Sequence, residues 1–89
     1  AILANFLQSM KIKTLFFGIT TDLVGASELQ INVNENTSIE TFKAVLQGEF
    51  LSLKNINSYA IAVNETYAGD DYVLKTGDVV AVIPPVSGG

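Results

Sequence analysis

The residues of this chain best placed to do chemistry are its last two, Gly88 and Gly89. They are expected to present bare backbone and a free carboxylate at the tip of a segment, Pro84-Pro85-Val86-Ser87-Gly88-Gly89, whose side chains shrink toward the end. Two consecutive prolines have a fixed φ and no N–H, so they cannot extend a sheet and are expected to project the chain as a stiff, polyproline-like stalk. A narrow tail of this shape can enter a channel in another protein. The other carboxylates offer less. Asp70-Asp71 and Asp78 invite comparison with a cation site, but their spacing lacks the ligand order of a calcium loop and they fall in turn sequences, which predicts solvated turns and no metal. The chain contains no His and no Cys, which removes the imidazole base, the thiolate nucleophile, the zinc ribbon and the disulfide framework. A self-contained active site is therefore not expected.

The elements that must position the tail belong to one small domain. At 89 residues, 48% of them hydrophobic, the chain can bury roughly 60% of its unfolded surface, enough for a modest core but not for a deep substrate cleft as well. Five lysines and no arginine stand against nine acidic residues, a net charge of −4, so neither nucleic acid nor an anionic membrane is an expected partner. No apolar run reaches the length of about 18 residues needed to span a bilayer, and the expectation is a soluble, cytoplasmic protein. The opening Ala1–Ser9 lacks the basic flank of a secretory signal, and Met10 followed by a strand pattern reads as a natural start, so residues 1–9 are taken as an N-terminal extension or a remnant of expression. The alternative, a short helix carrying Ile2, Leu3, Phe6 and Leu7, would be marginal at that length. Sequons at Asn36 and Asn64 carry no weight without an export signal.

Residues 11–17 alternate and predict a strand broken by Gly18; 20–25 reads as a loop or single helical turn, and 28–34 as a second strand. Thr37 followed by Glu40 has capping-box spacing, and Ile39, Phe42, Val45, Leu46 and Phe50 recur at helical intervals, with Gly48 expected to fray or end the helix. Strands are then expected at 59–63, at 72–74 (short) and at 79–83, with turns at 64–65, 69–71 and 75–78. The order is strand, strand, helix, strand, short strand, strand. By analogy this is an α+β, ubiquitin-like β-grasp, a mixed sheet of four to five strands covered by one main helix, in which the last strand lies beside the first. Domain 10–83 would then carry a flexible Gly-Gly tail at 84–89.

Alternation also sorts the two sheet faces. If Ile12, Phe16, Ile61, Val63, Val80 and Val82 pack beneath the helix, then Leu15, Phe17, Ala60, Ala62, Ala81 and Ile83 face the other way, a surface too apolar for open solvent. It reads as a partner surface, with Leu15, Phe17, Ala81 and Ile83 as contact residues. The bland alternative is that Phe17 or Ile83 tucks beneath a loop from 64–72.

Taken together, Ile12-Lys13-Thr14-Leu15-Phe16-Phe17, Asp22-Leu23-Val24-Gly25, Ala62-Val63-Asn64-Glu65-Thr66, Thr76-Gly77-Asp78 and the ending Pro-Pro-Val-Ser-Gly-Gly resemble the MoaD-type sulfur carriers, the small subunits of molybdopterin synthase. The resemblance covers residues 10–89, and the ending is its most specific part; the helix matches only in pattern. It implies that Gly89 is the reacting group and that Pro84, Pro85, Val86, Ser87 and Gly88 form the tail that delivers it. It implies no permanently bound cofactor, with ATP used by an activating partner. A ubiquitin-activating-type enzyme would adenylate the Gly89 carboxylate, and a persulfide donor would replace AMP with sulfur to leave a thiocarboxylate. Within a heterotetramer of two small and two large subunits, the tail would donate sulfur to cyclic pyranopterin monophosphate, two deliveries building the molybdopterin dithiolene. The large subunit would dock beside the tail on the apolar face. Rival readings are a sulfur carrier for thiamin thiazole or transfer-RNA thiolation, and a ubiquitin-like conjugation or binding module joined through Gly89 to a lysine.

Overall fold

The computed structural model describes residues 9–55 and 59–85 of the 89. Alternation builds the first strand: in β1 (Ser9–Phe16), Met10, Ile12, Thr14 and Phe16 are all buried while their neighbours face outward. β1 pairs antiparallel with β2 (Glu28–Asn34), which sends Ile31 and Val33 into the same interior. The ladder starts earlier than the sequence suggests, because Ser9 pairs with Asn34 and Met10 with Val33. Its first residue therefore falls one position inside the segment read as an extension; residues 1–8 lie outside the described residues. At its other end the strand stops at Phe16, so Phe17 belongs to the connection.

That connection is more ordered than a loop or single turn. α1 (Ile19–Val24) spans six residues and ends at Gly25, whose φ of 86° is the left-handed conformation a helix stop favours. It is tied back to β1 by the Thr21 hydroxyl, which donates to the Phe16 carbonyl at 2.9 Å.

α2 (Ile39–Glu49) lays Ile39, Phe42 and Leu46 against the sheet, as its periodicity predicts. Its cap is Ser38, one residue later than the capping box suggests: the Ser38 hydroxyl accepts from the Thr41 N–H at 3.2 Å. Thr37 is buried, and its hydroxyl donates instead to the Asn34 carbonyl. Two further amides of the first turn, on Ile39 and Glu40, donate to the carbonyls of Tyr72 and Asp70, so the returning chain helps to finish the helix end. α2 runs one residue past Gly48 and ends at Glu49; a 3-10 turn (Leu51–Asn55) follows and buries Leu53 completely.

The return comprises β3 (Ala60–Val63), β4 (Thr66–Ala68) and β5 (Val79–Ile83). The short strand is misplaced in the sequence reading. Residues 66–68 pair with β3 through a two-residue hairpin at Asn64-Glu65, whereas 72–74 forms only an isolated bridge between Val73 and Ser38. Asn64 and Glu65 both take positive φ, 52° and 72°, the conformation whose twist suits such a hairpin. The strand order is β2-β1-β5-β3-β4, with β1 and β5 parallel and every other pair antiparallel. A five-stranded mixed sheet under one main helix, with first and last strands adjacent, is the ubiquitin-like β-grasp. All six residues assigned to the inner face are buried: Ile12, Phe16, Ile61, Val63, Val80 and Val82. Among the described residues, no helix is long and apolar enough to cross a membrane.

Candidate functional site

The centre of the sheet brings the end of β1, the start of β5 and the β3–β4 turn to one outer surface. Val80 and Val82 enter the core, so Val79, Ala81 and Ile83 point away from it. In the parallel register Leu15 lies opposite Ala81, and Phe17 follows one residue past the strand. Leu15, Phe17, Val79 and Ala81, with Asn64 and Glu65 at the rim, line an open groove of about 450 Å³. Phe17 is 48% exposed and is not covered by the 64–72 segment, whose residues 64–68 belong to the hairpin and whose Asp70 and Tyr72 carbonyls meet the start of α2. Of the four expected contact residues, the groove gathers Leu15, Phe17 and Ala81. Ile83 lies further along the same face, opposite Ala60 in β3, and is half-buried. Ala62, also assigned to this face, is buried at 6% exposure. Toward β2 the face turns polar: Lys13 approaches Glu28 at 3.8 Å, with both side chains about half exposed.

Asn64, Glu65 and Val79 were not singled out as groove residues by sequence reasoning. For Val79 the signal was available, since it alternates with Ala81. For the turn residues it was not, because their place depends on a long-range contact. The Asn64 amide group donates to one Asp78 carboxylate oxygen at 2.9 Å, its side-chain oxygen accepts from the Val79 N–H at 3.0 Å, and its own N–H donates to the Val79 carbonyl at 2.9 Å. The second Asp78 oxygen accepts from the Lys75 N–H at 2.9 Å and the Tyr72 hydroxyl at 3.2 Å. Asp78 is thus a buried hub and no solvated turn residue. Burial opposes its charge, but the Lys75 N–H, the Asn64 amide and the Tyr72 hydroxyl outweigh that penalty and, with the Lys75 charge, hold its pKa below the ordinary 3.8. Burial first, then the bond to Asp78 and its charge, raise the Tyr72 pKa. Asp70, by contrast, is exposed and pairs with Lys43 at 3.0 Å. Among the described residues, no three His, Cys, Asp or Glu side chains come together as a metal-holding group.

β5 leads directly from the groove into the C-terminal segment. Pro84 and Pro85 follow its last residue with no secondary structure, Pro84 half-buried and Pro85 exposed. The expected tail residues Val86, Ser87, Gly88 and the reacting Gly89 lie outside the described residues. The strand that floors the groove is thus the strand that carries the terminal glycines. Residues 14–89 match the ThiS family. The chain belongs to that family. Among curated relatives of this ThiS-family chain, the molybdopterin synthase sulfur carrier subunit of Caenorhabditis elegans is 37% identical over 83 residues, 90% of this chain and 99% of the relative. The protein of the same description from Arabidopsis thaliana is 32% identical, covering 92% and 86%. Among solved structures, the complex of subunits 1 and 2 of molybdopterin-converting factor from Helicobacter pylori contains a chain 27% identical, with a TM-score of 0.63, covering 90% of this chain and 100% of that one. Small archaeal modifier protein 1 of Haloferax volcanii superposes with a TM-score of 0.78 at 16% identity, over 86% of this chain and 99% of its own, which shows a shared fold alone.

Proposed function

We propose that this chain is a sulfur carrier acting as the small subunit of a molybdopterin synthase, with Gly89 as the reacting residue. The observation that carries the reading is the continuity of β5 with the tail: a large subunit seated on Leu15, Phe17, Ala81 and Ile83 necessarily meets the segment that emerges from the same strand. Ser87, Gly88 and Gly89 are narrow enough to pass into that partner's active site, with Pro84, Pro85 and Val86 as the stalk. The assembly is a heterotetramer with two copies of each subunit.

A carboxylate is a poor electrophile, because its charge resists attack and its oxygen is a poor leaving group. Activation comes from elsewhere. A Gly89 oxygen attacks the α-phosphorus of ATP held by an adenylating enzyme, pyrophosphate departs, and the carboxylate becomes a mixed anhydride with AMP. The terminal sulfur of a persulfide donor displaces AMP to give an acyl disulfide, and a partner thiol cleaves that S–S bond and is itself oxidised to a disulfide. The thiocarboxylate so released passes its sulfur to the pterin precursor while water restores the Gly89 carboxylate. Two such deliveries supply a dithiolene. The charges that stabilise these transition states are supplied by partners, which suits a chain whose groove is apolar and whose buried acid is already committed to three donors.

Incubation with ATP, a ubiquitin-activating-type enzyme and a sulfide source should raise the mass of the intact chain by the difference between sulfur and oxygen. An unchanged mass, or capture of the chain on the lysines of larger proteins, would contradict the proposal, the second outcome identifying a conjugated modifier.

A further inference from the structure

In the parallel pair Leu15 lies opposite Ala81 and Phe16 opposite Val82. Continued two residues, this register sets Gly18 beside Pro84, and the two do meet there. A methyl group added to Gly18 would stand 3.0 Å from the Pro84 ring Cγ and 3.8 Å from its Cδ. That spacing is tighter than ordinary van der Waals contact, so a side chain at this position would press on the ring, whereas the glycine hydrogen lets the ring lie against the backbone as it does. The backbone of Gly18 is equally particular. Its φ of 57° and ψ of −136°, with the Thr20 N–H donating to the Phe17 carbonyl at 3.1 Å, make residues 17–20 a type II′ turn with glycine at the position that requires it. Thr20 is fully buried and its hydroxyl accepts from the Phe17 N–H at 3.0 Å, which fixes the turn from inside. Gly18 thus offers a rigid, side-chain-free ledge where the ladder stops and the proline stalk begins.

We propose that Gly18 is a positioning residue for sulfur delivery, seating the Pro84 ring and so setting the direction in which the tail leaves the domain. Rigid placement of the stalk's first residue restricts where a reactive end a few residues further on can go, and orientation of that kind raises the rate of the step it serves. The inference rests on the sulfur-carrier reading above. Pro84 lies on the path from the sheet to Gly89, so Gly18 acts through Pro84.

The test is a double-mutant cycle on Gly18→Ala and Pro84→Ala, read at a temperature where all four proteins are folded. Each chain is loaded as the thiocarboxylate and mixed with a large subunit and precursor, and the single-turnover delivery rate and the affinity for the large subunit are measured separately. Each single variant is expected to deliver sulfur at least tenfold more slowly with affinity changed less than threefold, and the double variant no more slowly than the slower single. If the two losses multiply, Gly18 matters only for its own turn and the proposal is overturned. Pro84→Ala leaves the turn intact and folds whatever the fate of Gly18→Ala; delivery at the wild-type rate in that variant overturns the proposal by itself. Nuclear Overhauser contacts between the Gly18 α-hydrogens and the Pro84 ring should be present in the free chain and lost in Gly18→Ala. Their absence from the wild type also overturns the seat. Should the wild type accept no sulfur at all, the carrier reading falls and the role in delivery falls with it, while the contact measurement still decides whether the seat exists.

Discussion

Asp78 binds three segments to one another through a single side chain. Its carboxylate takes hydrogen bonds from Lys75, Tyr72 and Asn64, and Asn64 in turn fixes the start of β5 through Val79. Replacing it by Ala leaves those donors without their acceptor, and about 1–3 kcal/mol of stability should be lost, measurable by urea unfolding. The charge has its own signature. Because the folded-state pKa lies below the ordinary 3.8, the contribution of this carboxylate is complete above the unfolded value and disappears as pH falls through the folded one. The stability gap between wild type and Asp78→Asn should therefore be constant near neutrality and shrink only below about pH 4. A gap that stays the same into strong acid would mean that shape, and not charge, is what the hub needs. The bond from Lys75 belongs to the 75–78 turn that the sequence predicts, but the donors at 64 and 72 come from outside that turn and reach Asp78 only in the folded chain, so the hub was not legible in the sequence.

Among the elements, those with one buried face and a clear period were legible. β2 and β5 have the expected bounds, and α2 has the expected apolar stripe, because alternation and helical spacing report burial directly. What failed was decided by partners distant in sequence. The cap moved from Thr37 to Ser38 because Thr37 is drawn inward to the Asn34 carbonyl, and residues 72–74 lost their strand because their carbonyls and amides serve the beginning of α2. β4 was missed because Thr66–Ala68 carries only three residues, two of them exposed, and so presents no period. The register of β1 governs both faces. Phe16 is 2% exposed and stands edge-on to Phe50, with ring centres 6.2 Å apart at 74°. Phe16→Ala should cost about 3–5 kcal/mol, a large share of the stability of a domain this small, and leave the protein largely unfolded or aggregated. A variant that folds normally and is impaired only in partner binding would require the two faces of β1 to be exchanged.

At the scale of the molecule, the β-grasp separates a closed interior from an open surface, and the two respond differently to mutation. Phe17 follows Phe16 in sequence but faces the groove, so a lysine there can keep its ammonium in water in the free chain. Phe17→Lys should leave the unfolding midpoint almost unchanged while affinity for the large subunit falls, by about 2 kcal/mol or more if Phe17 anchors the interface. Unaltered affinity would place the docking surface elsewhere on the domain. The groove on the outer face was only half legible in the sequence, because its rim depends on the hairpin at Asn64-Glu65. The role proposed for the domain is to carry a reactive glycine to a partner. Its most direct measurement is a single turnover in which the chain, loaded as the Gly89 thiocarboxylate, is mixed with a molybdopterin synthase large subunit and the pterin precursor, and dithiolene product is followed against return of the chain to its carboxylate mass. Two chains discharged for each dithiolene formed, with no product from a folded chain lacking Gly88 and Gly89, is the predicted result. Discharge without dithiolene, or product formed equally well by the truncated chain, would contradict it.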